Sequence, residues 1–243
     1  MVQIYGPLLA FFVAGVVQGA TGFGSGLVSV ALLGLIGVGI KSSSVILVFP
    51  TTCLSLWVLA GLWKHLELRR MLPLLISAVL VIPLGVLFLR EARPHTLLFV
   101  LSLVLFASVG QRLIPTLKAK RWHPVWLGVP CGVLSGLLGG AFNTGGPPVV
   151  AFASTQQFDR YRYVACLQLA FTAYGVGRFL CLVGYGMFTR ELFALSLSGV
   201  MFAIFGAYLG LRVLSRISDK LLGRIVAVAL LALAVRYMHL AMS

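Results

Sequence analysis

Long apolar stretches follow one another along almost the whole chain, and only short polar turns separate them. These stretches lie at about 5–40, 43–63, 71–89, 96–114, 123–157, 163–187, 192–213 and 221–241. They do not alternate apolar and polar residues as the strands of a membrane barrel do. Apolar runs of about 18 residues or more cross a hydrocarbon core as helices. The pattern therefore predicts an all-α polytopic membrane protein.

The first and fifth stretches are too long for one ordinary span, and each is interrupted by a glycine-rich polar run. The first run reads GATGFGSG at 19–26, and the second reads GGAFNTGGPP at 139–148. Interrupted hydrophobic segments at matching positions in the two halves of a membrane protein indicate a transporter's binding site. We therefore expect each long stretch to form a helix, a break and a second helix.

An internal repeat accompanies the two breaks. Gly15, Gly19 and Gly22 match Gly132, Gly136 and Gly139 at a constant spacing, and Gly26 matches Gly146 after a three-residue insertion. This order predicts a duplicated unit of four apolar segments. The two repeats would cover 1–117 and 118–243 and would together form one transporter domain.

The basic residues decide how the broken segments sit in the membrane. If all eight segments crossed it, the basic residues outside the spans would divide equally between the two sides. If the first and fifth segments are re-entrant hairpins, one side carries Lys41, Arg90, Arg93, Arg190 and Arg236. The other side then carries Lys64, Arg69, Arg70, Arg112, Lys118, Lys120, Arg121, Arg160, Arg162, Arg212, Arg216, Lys220 and Arg224. Cytoplasmic loops collect Lys and Arg, so we predict six spans, two hairpins and both termini on the periplasmic or extracellular side.

Because each unit has three full spans, which is an odd number, the second unit starts on the opposite side of the membrane from the first. The two repeats are therefore predicted to be inverted, which is an architecture that supports alternating access.

The candidate ligand-binding residues come first from the breaks. Each break exposes free N–H groups at the start of the returning helix, where the helix dipole favours anions. The candidates are Thr21, Gly22, Phe23, Gly24, Ser25, Gly26, Asn143, Thr144, Gly145 and Gly146. For Gly15, Gly19, Gly132 and Gly136, spaced four residues apart, we favour close helix packing instead.

Arg178 is the one ionisable residue well inside a predicted span. A charge at that depth is a functional-site hypothesis by default. Its partner could be backbone carbonyls, a helix C-terminus or an anionic ligand, and snorkelling to an interface is the alternative. Gln168, Thr172, Tyr174, Thr51 and Thr52 could also line a cavity, and Gln18 is a weaker candidate.

The composition limits the classes of ligand and activity that the sequence supports. The chain is 60% hydrophobic and only 10% charged, and its five acids, Glu67, Glu91, Asp159, Glu191 and Asp219, all lie in predicted loops. A cation site or carboxylate proton relay inside the membrane would have no residues to use, so anion transport is favoured. No metal-ligand spacing, nucleotide fingerprint or catalytic set is present, which predicts neither cofactor nor enzyme activity. The basic residues are scattered over short loops, which disfavours nucleic-acid binding.

The two broken segments, with Gly19 to Gly26 and Gly136 to Pro148, resemble those of the TauE/SafE-type sulfite exporter family, also called the 4-toluene sulfonate uptake permease family. The resemblance covers the whole chain. It implies a secondary carrier of sulfite, sulfonates or related small organic anions in the lipid bilayer of a bacterial inner membrane. The inside-negative potential contributes about 2.3 kcal/mol per charge per 100 mV, which favours export. An anion channel and an accessory subunit of a membrane complex remain as alternatives, and no oligomeric state is predicted.

Overall fold

The fold was taken from a computed structural model, which describes residues 2–113, 123–213 and 219–242. These residues are 88% helical, and no strand occurs among them. The helices are α1 (Val2–Thr21), α2 (Ser25–Leu35), α3 (Ile40–Ile46), α4 (Val48–Leu62), α5 (Leu68–Glu91), α6 (Pro94–Leu113), α7 (Pro124–Phe142), α8 (Gly146–Thr155), α9 (Arg160–Gly184), α10 (Arg190–Val213) and α11 (Asp219–Met242). A short 3₁₀ turn, Trp63–His65, extends α4. The proposed repeat boundary at residues 117 and 118 lies outside the described ranges.

Several helices are long and apolar enough to cross a membrane. Within the described chain they are Ile40–His65, Leu68–Glu91, Pro124–Phe142, Arg160–Gly184 and Arg190–Arg212. Shorter apolar helices cover Tyr5–Thr21, Ser25–Leu35, Pro94–Gly110 and Ala227–Met242. The all-α multi-pass membrane fold is thus confirmed. The set of long helices differs from the six predicted spans in two ways. It includes α7, the first arm of the second broken segment, and the predicted spans at 96–114 and 221–241 are represented by the shorter helices Pro94–Gly110 and Ala227–Met242.

Both broken segments fold back on themselves. A Cβ placed on Gly6 in α1 would lie 2.8 Å from Ile36 Cδ1, just beyond the end of α2. In the second segment, a Cβ on Gly128 in α7 would lie 3.3 Å from the Phe152 ring in α8. Each returning helix therefore ends beside the start of the helix that precedes it, so each segment is a helical hairpin.

Each hairpin packs on a helix of the other half of the chain. A Cβ on Gly15 or Gly19 in α1 would overlap the carbonyl oxygen of Ala203 or Ala207 in α10. Glycines let the two backbones approach this closely, as small residues do between membrane helices. Because the residue numbers rise together along the contact, α1 and α10 run parallel.

The same arrangement recurs between α7 and α5. A Cβ on Gly132 or Gly136 would overlap the carbonyl oxygen of Leu74 or Ala78, and these two helices also run parallel. The packing interpretation of Gly15, Gly19, Gly132 and Gly136 is therefore confirmed.

In each half, one long helix follows the hairpin, α4 in the first half and α9 in the second. These two helices run in opposite directions. The rings of Phe49 and Phe179 are tilted against each other with centroids 5.0 Å apart, whereas Thr52, further along α4, meets Gly175, which lies earlier in α9. One continuous buried core joins both halves, with Phe11, Leu54 and Leu89 from the first and Phe142 and Leu167 from the second. The two hairpin tips lie within this shared structure.

Candidate functional site

The first break is a tight turn made by two glycines in left-handed backbone conformations. Gly22 has φ +78° and Gly24 has φ +100°, backbone angles that residues with a Cβ rarely adopt. The Thr21 hydroxyl stays inside the turn, 2.6 Å from the Phe23 carbonyl oxygen. The chain therefore leaves α1 and enters α2 within three residues.

The second break turns at Asn143, which has φ 60°. Asparagine is one of the few residues with a side chain that visits this region readily. The Asn143 N–H donates to the Gly139 carbonyl at 3.0 Å, and the Thr144 N–H donates to the Leu138 carbonyl at 3.3 Å. The Ser135 hydroxyl then donates to the Gly145 carbonyl. These bonds end α7 and hold the start of α8 against it.

The two breaks lie against each other and border one cavity. A Cβ on Gly26 would overlap the Asn143 carbonyl oxygen, so the first turn of α2 touches the second break directly. The cavity has an empty volume of about 460 Å³, its open mouth included. Its lining residues are Gln18, Gly24, Ser25, Gly26, Leu27, Thr51, Ser55, Gly139, Asn143, Thr144, Gly145, Gly146, Phe171 and Tyr174.

The starts of α2 and α8 both border this cavity, but they differ in the donors they offer. First-turn N–H groups have no acceptor within their own helix, and in α2 these belong to Ser25, Gly26 and Leu27. In α8 the first turn contains Pro147 and Pro148, which have no N–H. Hydrogen-bond donors of the backbone therefore come mainly from α2, while both helix dipoles point their positive ends at the cavity.

A network of buried amide and hydroxyl groups supports the first break. Gln18 Nε2 donates to Ser55 Oγ at 3.3 Å and to Gln168 Oε1 at 3.2 Å. Gln168 Nε2 donates to the Gly22 carbonyl at 2.7 Å, and Ser25 Oγ donates to Gln18 Oε1. All four polar side chains are at most 5% exposed. The network ties α1, α2, α4 and α9 together around the cavity.

Thr51 and Thr144 place hydroxyl groups on the side of the second break. Asn143 Nδ2 donates to Thr51 Oγ1 at 2.8 Å, and Thr51 Oγ1 donates to the Leu47 carbonyl at 2.7 Å. Thr144 is 2% exposed, and its hydroxyl has no protein partner. A buried hydroxyl in that state is available to bond a ligand.

Arg178 lies behind the second break rather than in the cavity. Its side chain is fully buried, and Nε donates to the Gly140 carbonyl at 2.9 Å while Nη2 donates to the Ala141 carbonyl at 3.3 Å. These carbonyls belong to the last turn of α7, whose negative dipole end a cation stabilises. Of the partners considered for Arg178, the structure shows the backbone carbonyls at a helix C-terminus.

The structure brings some predicted site residues to the cavity and leaves others beside it. Those that line it are Gly24, Ser25, Gly26, Thr51, Asn143, Thr144, Gly145, Gly146 and Tyr174. Those that do not line it are Thr21, Gly22, Phe23, Thr52, Gln168, Thr172 and Arg178. The hydroxyls of Thr52 and Thr172 are buried without a protein partner, but they lie on other faces of α4 and α9.

Sequence reasoning did not select Leu27, Ser55, Gly139 and Phe171 as site residues. Ser55 had a usable signal, because it follows Thr51 by one helical turn and therefore shares its face. Gly139 belongs to the glycine-rich run but precedes its polar part. Leu27 and Phe171 carry no polar signal in a chain this apolar.

Comparison with known protein families identifies the family of this chain. The family model described as Sulfite exporter TauE/SafE matches residues 8–237. No curated protein and no solved structure gives a significant match. Because the matched region contains both broken segments and nearly all of the chain, the protein belongs to the TauE/SafE sulfite exporter family.

Proposed function

We propose that the protein is a secondary transporter of small sulfur-containing or organic anions in a bacterial inner membrane. Membership of a sulfite exporter family supports anion transport. The observation that carries the binding site is the convergence of two helix N-termini and the buried, unpartnered Thr144 hydroxyl on one cavity.

The cavity has the donors that an oxyanion needs. The N–H groups of Ser25, Gly26 and Leu27 lie at the positive end of α2, where anions bind readily. Thr144 adds a hydroxyl donor, and Gly146 adds the remaining early N–H of α8. The lining residues in the described chain include no carboxylate that would repel an anion. We place the oxyanion head of the ligand among these groups.

We assign to Arg178 a positioning role. By bonding the carbonyls of Gly140 and Ala141, it offsets the negative end of α7 where that helix meets the cavity. We do not place Thr21, Gly22, Phe23, Thr52, Gln168 or Thr172 in contact with the ligand.

We further propose that residues 1–117 and 118–243 are inverted repeats that rock around this site. The antiparallel course of α4 and α9 supports an inverted relation, because these helices occupy equivalent positions in the two halves.

Contacts at the ends of the helices support re-entrant hairpins. Arg162 Nη1 lies 2.6 Å from Glu67 Oε1, which puts the loop after α8 at the same end as the loop after α4. Eight full crossings would put those loops on opposite sides. At the other end, Lys41 Nζ donates to the Arg90 carbonyl at 2.6 Å. With the positive-inside rule, this arrangement supports our proposal that both termini lie outside the cytoplasm.

Binding is tested with the detergent-purified protein and a thermal-shift screen of sulfite, thiosulfate, methanesulfonate and acetate. We expect stabilisation by at least one sulfur oxyanion. In Thr144→Val, loss of one hydrogen bond to a charged ligand should raise the dissociation constant about ten- to hundredfold. Thr52→Val is the matched control, since it removes an equally unpartnered buried hydroxyl that does not line the cavity. Equal weakening by both variants, or by neither, contradicts the proposed site.

Transport is tested in proteoliposomes with radiolabelled sulfite. A carrier shows saturation and counterflow, and an inside-negative potential should drive net efflux. Conduction without counterflow indicates a channel, and the absence of both binding and transport by the pure protein indicates an accessory subunit. Uptake driven by an inward proton gradient contradicts export.

A further inference from the structure

The hydrogen-bond network beside the first break has a fixed direction, because it starts at a backbone carbonyl. The Gly22 carbonyl can only accept, so the amide group of Gln168 must turn its Nε2 towards it, as observed at 2.7 Å. Gln168 Oε1 then faces Gln18 and accepts from Gln18 Nε2 at 3.2 Å. This leaves Gln18 Oε1, an acceptor, turned towards Ser25.

Ser25 must therefore donate its hydroxyl hydrogen to Gln18. A serine hydroxyl has one hydrogen and two lone pairs, so Ser25 has only acceptor capacity left. Ser25 is 5% exposed and lines the cavity. At this point the cavity wall accepts hydrogen bonds, although the backbone N–H groups of the same helix turn donate them.

A second chain of hydrogen bonds, beside the second break, behaves in the same way. The Leu47 carbonyl accepts from Thr51 Oγ1 at 2.7 Å, so Thr51 must accept from Asn143 Nδ2, at 2.8 Å. The side-chain nitrogen of Asn143 is thereby fixed towards Thr51. Its Oδ1 is left as a further acceptor on a residue that lines the cavity.

We propose that Ser25 is a specificity-determining residue that accepts a hydrogen bond from the transported anion. The ligand class is then an oxyanion that carries its own donor, such as a hydroxyl group, next to the anionic head. An anion with acceptors alone leaves the Ser25 lone pairs buried without a partner, and unmade hydrogen bonds of this kind are costly. The inference rests on the anion site of the proposed function.

Two probes of equal charge and similar size isolate this effect. Hydroxymethanesulfonate and ethanesulfonate differ in having a hydroxyl or a methyl group at the same place. For the wild-type protein we expect the dissociation constant of hydroxymethanesulfonate to be lower by about tenfold or more. Equal affinities, or tighter binding of ethanesulfonate, overturn the proposal.

Variants separate this role from a general effect on binding. Ser25→Ala removes the acceptor, so the ratio of the two affinities should fall close to one. Gln168→Leu keeps Ser25 but no longer fixes the orientation of the Gln18 amide, so Ser25 is not forced to donate its hydrogen to Gln18. This variant should also reduce the ratio, which keeps the proposal testable if Ser25→Ala fails to fold. Thr144→Val should weaken both probes by the same factor. A ratio that survives in both Ser25→Ala and Gln168→Leu contradicts the role of Ser25.

The proposed function and this inference fail in different ways. If sulfite and both sulfonates all leave the melting temperature unchanged, the anion site itself is wrong and the inference falls with it. If sulfite binds and responds to Thr144→Val but the two sulfonates bind equally, the site stands and only the inference is overturned.

Discussion

The contact between the two breaks predicts that Gly26→Ala disturbs the centre of the protein. Gly26 lies in the first turn of α2, and a Cβ there would overlap the Asn143 carbonyl oxygen. A side chain in the way could rotate aside, but a backbone carbonyl cannot. One of the two hairpin tips must therefore move to make room for the methyl group.

The cost can be worked from this geometry. Forcing extra methylenes into a packed site costs about 1–3 kcal/mol, and the better helix propensity of alanine returns about 0.5–1 kcal/mol. The net loss is then up to about 2.5 kcal/mol, combining overpacking and propensity. For a chain of this length 1 kcal/mol corresponds to about 2–4 °C, so we expect the melting temperature to fall by up to about 10 °C.

Gly146→Ala provides the control. It also adds a methyl group in the first turn of a returning helix, but the nearest atoms are the Phe171 ring at 3.7 Å and the Phe23 ring at 4.0 Å. These are ordinary contacts, so this variant should melt at the wild-type temperature or, through the same gain in helix propensity, up to about 4 °C above it.

The assay is thermal unfolding of the detergent-purified variants, with and without sulfite. Gly26→Ala should lose both stability and the sulfite response, because the N–H groups of α2 move with the turn. If Gly26→Ala melts at the wild-type temperature and keeps a full sulfite response, the two breaks do not touch as described.

Three other predictions concern the bonds of Arg178, the bonds of Tyr237 and the side of the membrane on which the C-terminus lies. Arg178→Met leaves the Gly140 and Ala141 carbonyls without their donor and should cost about 1–3 kcal/mol for each, whereas Arg178→Lys should lose less; equal melting temperatures for the three proteins contradict this. Tyr237→Phe removes a hydroxyl that lies 3.1 Å from the Val30 carbonyl and 3.0 Å from that of Ala31, so thermal unfolding should report a loss of about 0.5–1.5 kcal/mol; no loss would mean that this bond does not hold α11 to α2. Alkaline phosphatase fused to the C-terminus should be active and a fluorescent protein there dark; the reverse result places that terminus in the cytoplasm and rejects the proposed topology.

The hairpins could be predicted because their signals are local. Gly22 and Gly24 occupy left-handed conformations that few residues adopt, and Pro147 with Pro148 begins a helix but cannot continue one. The glycines at four-residue spacing were likewise readable as a packing seam. The backbone conformation that glycine or proline favours depends on the residue itself and hardly on its tertiary contacts, so it can be predicted from the sequence.

The side-chain positions could not be predicted as well, because the polar residues of α4 and α9 are not gathered on one face of either helix. Thr51 lines the cavity and its neighbour Thr52 does not, and nothing in the surrounding sequence distinguishes them. Arg178 follows Tyr174 by one helical turn and so shares its face, but the last turn of α7 lies in front of it. The sequence indicated a buried charge and could not specify which backbone groups would receive it.

Side chains of one helix, α9, donate hydrogen bonds to backbone carbonyls at both breaks. Gln168 bonds the Gly22 carbonyl where α1 ends, and Arg178 bonds the Gly140 and Ala141 carbonyls where α7 ends. Carbonyls at the negative ends of both entering helices thus accept from side chains of α9, whereas the positive ends of α2 and α8 face the cavity. Each helix N-terminus is equivalent to roughly +0.5 charge, so the pair presents at most about one positive charge. A site of that strength matches a monoanion better than a dianion. For sulfite, the singly charged form is the one that keeps a proton, which is the kind of donor that the proposed Ser25 acceptor requires.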